Sequence, residues 1–440
     1  MKPARIAIGF AVAASLLGAS PGQAKNGFPT KLFLSTDGIA LSSFPSRRAL
    51  THRIRVDRTS GNAPVTWTAT SDQSWLSVTP SGTTGGSLMV HASPKKLARD
   101  QLYVANVTVS TSGGDFTDSE ILRVGFWVGS TDTQVVTAQQ IAYNIAANPV
   151  EPIAYVADGT DSVYEYNVYS GALVNTLTKV APTVGALTVS SDGHTLFAAD
   201  TTNYKVVALD ADTGNKIASY SLGHAIDTTF NMVYARPYAQ PALYTQSGPI
   251  FSVPSGAVLG NDPTTGFIAV TPDGKRLFTV DIGIDPATLY NYHVSARGET
   301  LAVSSITSAG IEGENCQDLA VSLDGRHVYP ACGYPYQFDV YDGKTLTQVQ
   351  TLPANPYPNN VAIDLNDHVL GGINGLYQTY DIYVFNQAGY SLGNVPTTNE
   401  SYYDGQQSAA MEASGDGMRV VSVTGYVYNN TQTLMFRDLP

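Results

Sequence analysis

Between residues 29 and 129 apolar and polar positions alternate in short runs. HRIRVDR, VTWTAT, SLMVHAS, YVANVTVS and ILRVGFWV are the clearest, and Gly, Pro, Asn or Asp separates them. A period of two sends alternate side chains to opposite faces, which is the pattern of a half-buried strand. Such runs, spaced by turn residues, predict an antiparallel β-sandwich over 29–129.

A different phrase recurs from residue 139 onward. It reads VSSDGHTLFAAD at 189–200, VTPDGKRLFTVD at 270–281, VSLDGRHVYPAC at 321–332 and EASGDGMRVVSV at 412–423. Each is a strand, an Asp-Gly turn and a second strand. A degenerate copy, VAIDLNDHVLGGI, occupies 361–373, and copies without Asp-Gly lie around Asn148 and Gln240. Two more alternating runs follow each hairpin, as in KVVALDADTGNKIASYSL. Turn centres fall roughly 33 to 51 residues apart, the period of a propeller blade. Four strands per copy cannot bury both faces of an isolated sheet, whereas sheets arranged radially bury them against each other. The chain therefore reads as all-β, an N-terminal β-sandwich followed by a seven-bladed β-propeller over 133–440. The seventh copy stops at its third strand, TLMFRDLP. TQVVTA (133–138) alternates correctly and is expected to pair beside 433–439, joining the ends of the ring.

The repeated hairpin followed by VVALDADTGNKIASYSL resembles the YVTN family of seven-bladed propellers. That resemblance implies the fold and carries little about function, since such propellers include surface proteins, binding proteins and relatives of lactonases. WTATSDQSWLSVTPSGTTGGSLMVHASPKKLARDQLYVANVTVSTSG (67–113) resembles a BACON-type sandwich. This similarity implies roles in carbohydrate or mucin attachment or in spacing domains. A generic immunoglobulin-like sandwich is the other reading of the same stretch.

Composition adds an address. Lys2 and Arg5 precede the apolar run IAIGFAVAASLLGA, and Gly22 and Ala24 supply small residues before Lys25. This is the form of a secretory signal peptide over 1–24, with cleavage after Ala24. The run is shorter than the roughly 20 residues of a membrane-spanning helix, so a secreted or periplasmic protein without a transmembrane segment is expected. A net charge of −12 argues against nucleic acid as a partner. In an oxidising compartment the two cysteines, Cys316 and Cys332, are expected to pair, two free thiols being the alternative.

Candidate chemistry is sparse. The seven histidines show no H-x-H or H-E-x-x-H spacing, and G-x-S-x-G and P-loop motifs are absent, so no cofactor, metal or catalytic residue is assigned. DADTGNK at 210–216 hints at a calcium loop, but position twelve is Ser221 where an EF-hand needs Glu. Asp192, Asp273, Asp324 and Asp416 each precede Gly and read as turn residues. The loops entering the innermost strands are richer. Glu312, Glu314, Asn315, Gln317, Asp318, Asn359, Asn360, Tyr402, Asp404 and Gln406 would converge around one mouth of the channel as a ligand site. Tyrosine-rich GYPYQFDVY adds a surface suited to sugar C–H groups. The expected function is binding or scaffolding, with carbohydrate or protein partners at a cell envelope. The alternative is a lactonase-like hydrolase at the channel mouth, for which Asp318, Asn360 and Glu314 would start a metal-binding cluster.

Overall fold

The computed structural model describes residues 27–111, 114, 116–133, 135–227, 230–281, 286–374, 380–396, 406–425 and 432–440. The N-terminal strands form two facing sheets. One runs in the order Leu32–Leu34, Thr51–Arg58, Gly86–Ala92, Leu76–Val78. The other runs Arg48–Ala49, Gly38–Ser43, Ser119–Val128, Gln101–Thr111, Thr66–Ser71, Ser81–Thr83. The alternating inward positions, among them Ile54, Trp67, Leu88, Val107 and Phe126, meet in one core. The expected antiparallel pattern has one exception. Gly38–Ser43 pairs parallel with Ser119–Val128, Gly38 opposite Arg123. Its sequence, GIALSS, does not alternate and was not among the predicted strands. All six residues are buried, because neighbours cover both faces.

The remaining strands form seven four-stranded antiparallel sheets. The first strands, in chain order, are Asn144–Ala147, Val184–Val189, Met232–Ala235, Phe267–Val270, Glu314–Val321, Pro358–Ile363 and Gln406–Ala413. Each contacts the first strand of the next sheet, and Gln406–Ala413 contacts Asn144–Ala147, so the circuit closes. The arrangement is β-propeller-like. In the last sheet, Val136–Gln139 pairs antiparallel with Thr433–Asp438, Val136 opposite Phe436. The closing strand thus begins later than expected. Thr133 instead donates its hydroxyl to Asp438 at 2.5 Å, and Gln134 lies outside the described residues.

The Asp-Gly repeats are turns held by one bonding scheme. In the second sheet the Ser190 hydroxyl donates to the Asp192 carboxylate (2.5 Å), which also accepts from the His194 N–H (3.0 Å). The Thr195 N–H closes back onto the Ser190 hydroxyl (2.9 Å). Thr271 with Asp273, Ser322 with Asp324 and Ser414 with Asp416 repeat the scheme. The glycine after each Asp has φ between 63° and 73°, where a side chain is strained. The degenerate copy keeps the geometry with other residues. Asp364 takes the hydroxyl's place, accepting from the Asn366 and His368 N–H groups (both 2.8 Å), and Asp367 adopts the glycine's conformation at φ 63°. Asp210 is used in the same way at an outer turn, accepting from the Asp212 and Thr213 N–H groups and the Thr213 hydroxyl.

Candidate functional site

Every sheet's first strand runs from a loop face to a turn face, and the sandwich sits on the turn face. Arg123 leaves its outward side and pairs with Glu151 of the first sheet at 2.8 Å, while donating to the Asp192 carbonyl at 3.1 Å. Arg236 of the third sheet pairs with Glu120 (2.5 Å) and Asp37 (3.3 Å) of the sandwich. All five side chains are 12% exposed or less. Burial pushes the Glu120 and Asp37 carboxyls up, although Arg236 pulls both down. Asp416 of the last sheet accepts from Ser42 and from the Tyr169 hydroxyl, each at 2.5 Å. Trp127 stacks on Tyr169 with ring centroids 5.8 Å apart. Between the two units lies a cavity of about 590 Å³, lined by Leu34, His52 and Met89 of the sandwich and by Tyr234, Leu323 and Leu365 of the sheets. The sandwich is therefore seated against the turn face of the sheets.

The sequence-predicted site belongs to the opposite, loop face, and its members separate into groups. Glu312 is exposed on the loop entering the fifth sheet, whereas Glu314 and Asn315, expected on that loop, are exposed at the start of its first strand, Glu314 paired opposite Tyr334. Asn359, Asn360 and Gln406 are buried, at 4%, 0% and 4% exposure, and form a structural network. Asn359 donates to the Gln406 carbonyl (2.8 Å), and Asn360 donates to Asn359 Oδ1 (2.8 Å) and Gln406 Oε1 (3.2 Å). Gln406 donates onward to Asp381 (3.2 Å), which is held by Arg437 at 2.5 Å. Gln317 is half-buried and accepts from the Ser408 hydroxyl. Tyr402 and Asp404 lie outside the described residues.

Asp318 and Asn360 share a task that sequence reasoning missed. Their side-chain oxygens accept backbone N–H groups of the following sheet's first strand, Val361 at 2.9 Å and Ala410 at 2.7 Å. Asn144 does the same for Leu187 (2.8 Å) and Asn231 for Ile268 (3.4 Å). A polar residue on the inner strand thus brackets one sheet to the next. Unpaired inner-strand amides would otherwise be orphaned. The only signal in the sequence is the position of these residues in otherwise apolar first strands.

Where the other brackets are Asn, the fifth sheet has Asp. Enclosure by the inner strands pushes the Asp318 carboxyl up to about 7, although the Val361 and Leu319 N–H groups pull it down. Glu412 of the last sheet is raised to about 8 by burial and by the charge of Asp318. Both retain partial surface exposure. Both groups bind protons more tightly folded than unfolded. Their stabilisation is complete below about pH 4 and is lost as pH rises through 7 to 8. The protein should consequently unfold at a higher temperature at pH 5.5 than at pH 8.5. Asp318→Asn with Glu412→Gln should remove a share of that difference of the order of 1 kcal/mol, discounted for solvent reach. An unchanged pH slope in the double variant would show that other groups cause it.

Among the described residues no group of three or more His, Cys, Asp or Glu side chains is placed to hold a metal ion, and no helix is long and apolar enough to cross a membrane. Cys316 and Cys332 face each other in register across the first two strands of the fifth sheet and form a disulfide.

Residues 46–117 match the viral BACON domain. The BACON match falls inside the N-terminal sandwich and covers no part of the seven sheets. A 235-residue stretch is 24% identical to "Uncharacterized protein YwhL" of Bacillus subtilis (strain 168), covering 50% of this chain and 48% of that protein. The chain thus spans about half the length of that relative. A chain of a crystal structure titled "Crystal Structure of Mitotic Checkpoint Complex" superposes with a TM-score of 0.53 at 14% identity, over 70% of this chain and 92% of the other. At that identity the likeness concerns the fold alone, and it supports a β-propeller-like arrangement.

Proposed function

We propose that this is a secreted or periplasmic binding or scaffold protein that recognises glycans or cell-envelope partners through the loop face of its propeller. In this reading residues 1–24 are a signal peptide cut after Ala24, 29–129 a BACON sandwich, and 133–440 a seven-bladed propeller of YVTN type. The observation that carries it is the sandwich's seat on the turn face, fixed by Arg123 and Arg236. With that face occupied, the loop face is the approach left to a ligand. The BACON match favours a binding role over catalysis. The hydrolase alternative loses much of its starting cluster, since Asp318 and Asn360 spend their oxygens on neighbouring backbone. Elemental analysis of the mature chain, with passage over immobilised glycans and peptidoglycan, tests the reading. Retention without a stoichiometric metal supports it. A stoichiometric divalent metal that disappears in Asp318→Ala, together with lactone hydrolysis, would overturn it.

A further inference from the structure

Three tyrosines from two adjacent sheets meet on the loop face. Tyr334 ends the second strand of the fifth sheet, Tyr336 follows it, and Tyr357 precedes the first strand of the sixth. They are 49%, 42% and 49% exposed. Tyr336 lies between the others, its ring centroid 5.9 Å from Tyr334 at 74° and 5.1 Å from Tyr357 at 70°. Successive perpendicular rings make a corner, and a hydrogen bond between the Tyr336 and Tyr357 side chains ties two of them together. Exposed apolar side chains are ordinarily scattered singly. Tyr336 and Tyr357 also have φ of 65° and 66°, a conformation that costs a tyrosine energy and that loops retain at binding sites. The base of the corner is firm. Tyr334 stands opposite Glu314 in the ladder, one pairing step from the Cys316–Cys332 disulfide, and the Tyr357 carbonyl accepts from the Asn374 N–H at 2.9 Å.

We infer that Tyr334, Tyr336 and Tyr357 form a stacking site for an uncharged glycan, one whose sugars present a C–H face to the rings and hydroxyls to the phenol groups. This deepens the binding function proposed above and rests on it. The rim chooses the ligand's charge. Glu314, opposite Tyr334 in the ladder, is exposed, and the chain carries −12 overall, which repels uronate, sialylated or phosphorylated glycans. The exposed aliphatic groups that would anchor a protein partner lie elsewhere. Leu173, Ile217, Val258 and Val349 are on the outermost strands. The corner itself is aromatic and hydroxylated.

The test is titration of the mature, oxidised full-length chain with neutral oligosaccharides (gluco-, galacto- and N-acetylhexosamine series) and with acidic ones. Neutral sugars should bind, and Tyr336→Ala with Tyr357→Ala should weaken them about tenfold or more while leaving the melting temperature unchanged. Tyr357→Trp should retain binding. Neutral-glycan binding that is indifferent to all three tyrosines would overturn the stacking site and leave the binding function standing. Binding of acidic glycans only, or of a protein partner through the tyrosines, would overturn the site's ligand class. Binding of no glycan and no envelope component would remove both.

Discussion

Arg437→Ala should destabilise the protein by about 3–5 kcal/mol, read as a shift in the denaturant midpoint of the oxidised chain. Arg437 and Asp381 form a pair whose side chains are 1% and 2% exposed. Arg437 also donates to the Ser422 hydroxyl at 2.8 Å and to the Pro396 carbonyl at 3.2 Å. Its removal leaves the Asp381 carboxylate out of water with, among the described residues, only the Gln406 amide as a partner, at 3.2 Å. That amide continues the network through Asn360 to the Ala410 N–H, so the loss reaches the inner strands of the sixth and seventh sheets. Replacing both charges together, Arg437→Met with Asp381→Asn, should cost less than Arg437→Ala alone, because no buried charge is then uncompensated. A double variant as unstable as the sum of two independent losses would contradict this account of the network.

Arg236→Ala should loosen the sandwich from the propeller-like unit at a cost of about 3 kcal/mol. Two carboxylates converge on this guanidinium from different segments of the sandwich, Asp37 and Glu120. Among the described residues neither forms a salt bridge with another cation, though the charge of Lys31 also lowers the Glu120 carboxyl. The variant should leave each unit folded while exposing the surfaces between them. Near-ultraviolet signal from Trp127 stacked on Tyr169 should therefore fall while far-ultraviolet signal is kept. Arg236→Lys should rescue only part of the effect, since an ammonium cannot offer the planar fork that reaches both carboxylates.

Particular residues explain what could be read in advance. The hairpins were legible because a tight turn demands positive φ, and Gly193, Gly274, Gly325 and Gly417 supply it at regular intervals. The closing strand was legible because a copy lacking its last strand needs an alternating run from elsewhere, and Val136–Gln139 provides it. Gly38–Ser43 was not, because alternation disappears when both faces are covered. The same coverage hid the docking of the sandwich. On Ser119–Val128 the residues facing away from the sandwich core include Arg123, Gly125 and Trp127. A Cβ at Gly125 would collide with the Val150 carbonyl oxygen, and one at Gly38 with that of Ser191. Glycine within a strand signals such close approach, but nothing in the sequence says what approaches. The bonding of the candidate site residues was hidden for a related reason. Asn359, Asn360 and Gln406 bond to one another and to inner-strand backbone, because polar groups there serve neighbouring backbone first.

The proposed function depends on the sandwich's seat on the turn face, which leaves the opposite face to a ligand. Small-angle scattering from the mature chain, beside its Arg123→Ala, Arg236→Ala variant, addresses it most directly. A seated sandwich predicts one compact particle, with a radius of gyration near the ~22 Å expected for a compact chain of this length or a few Å above it. The double variant should scatter as a visibly larger, two-body particle. Two-body scattering from the unaltered protein, indistinguishable from that of the variant, would contradict the account.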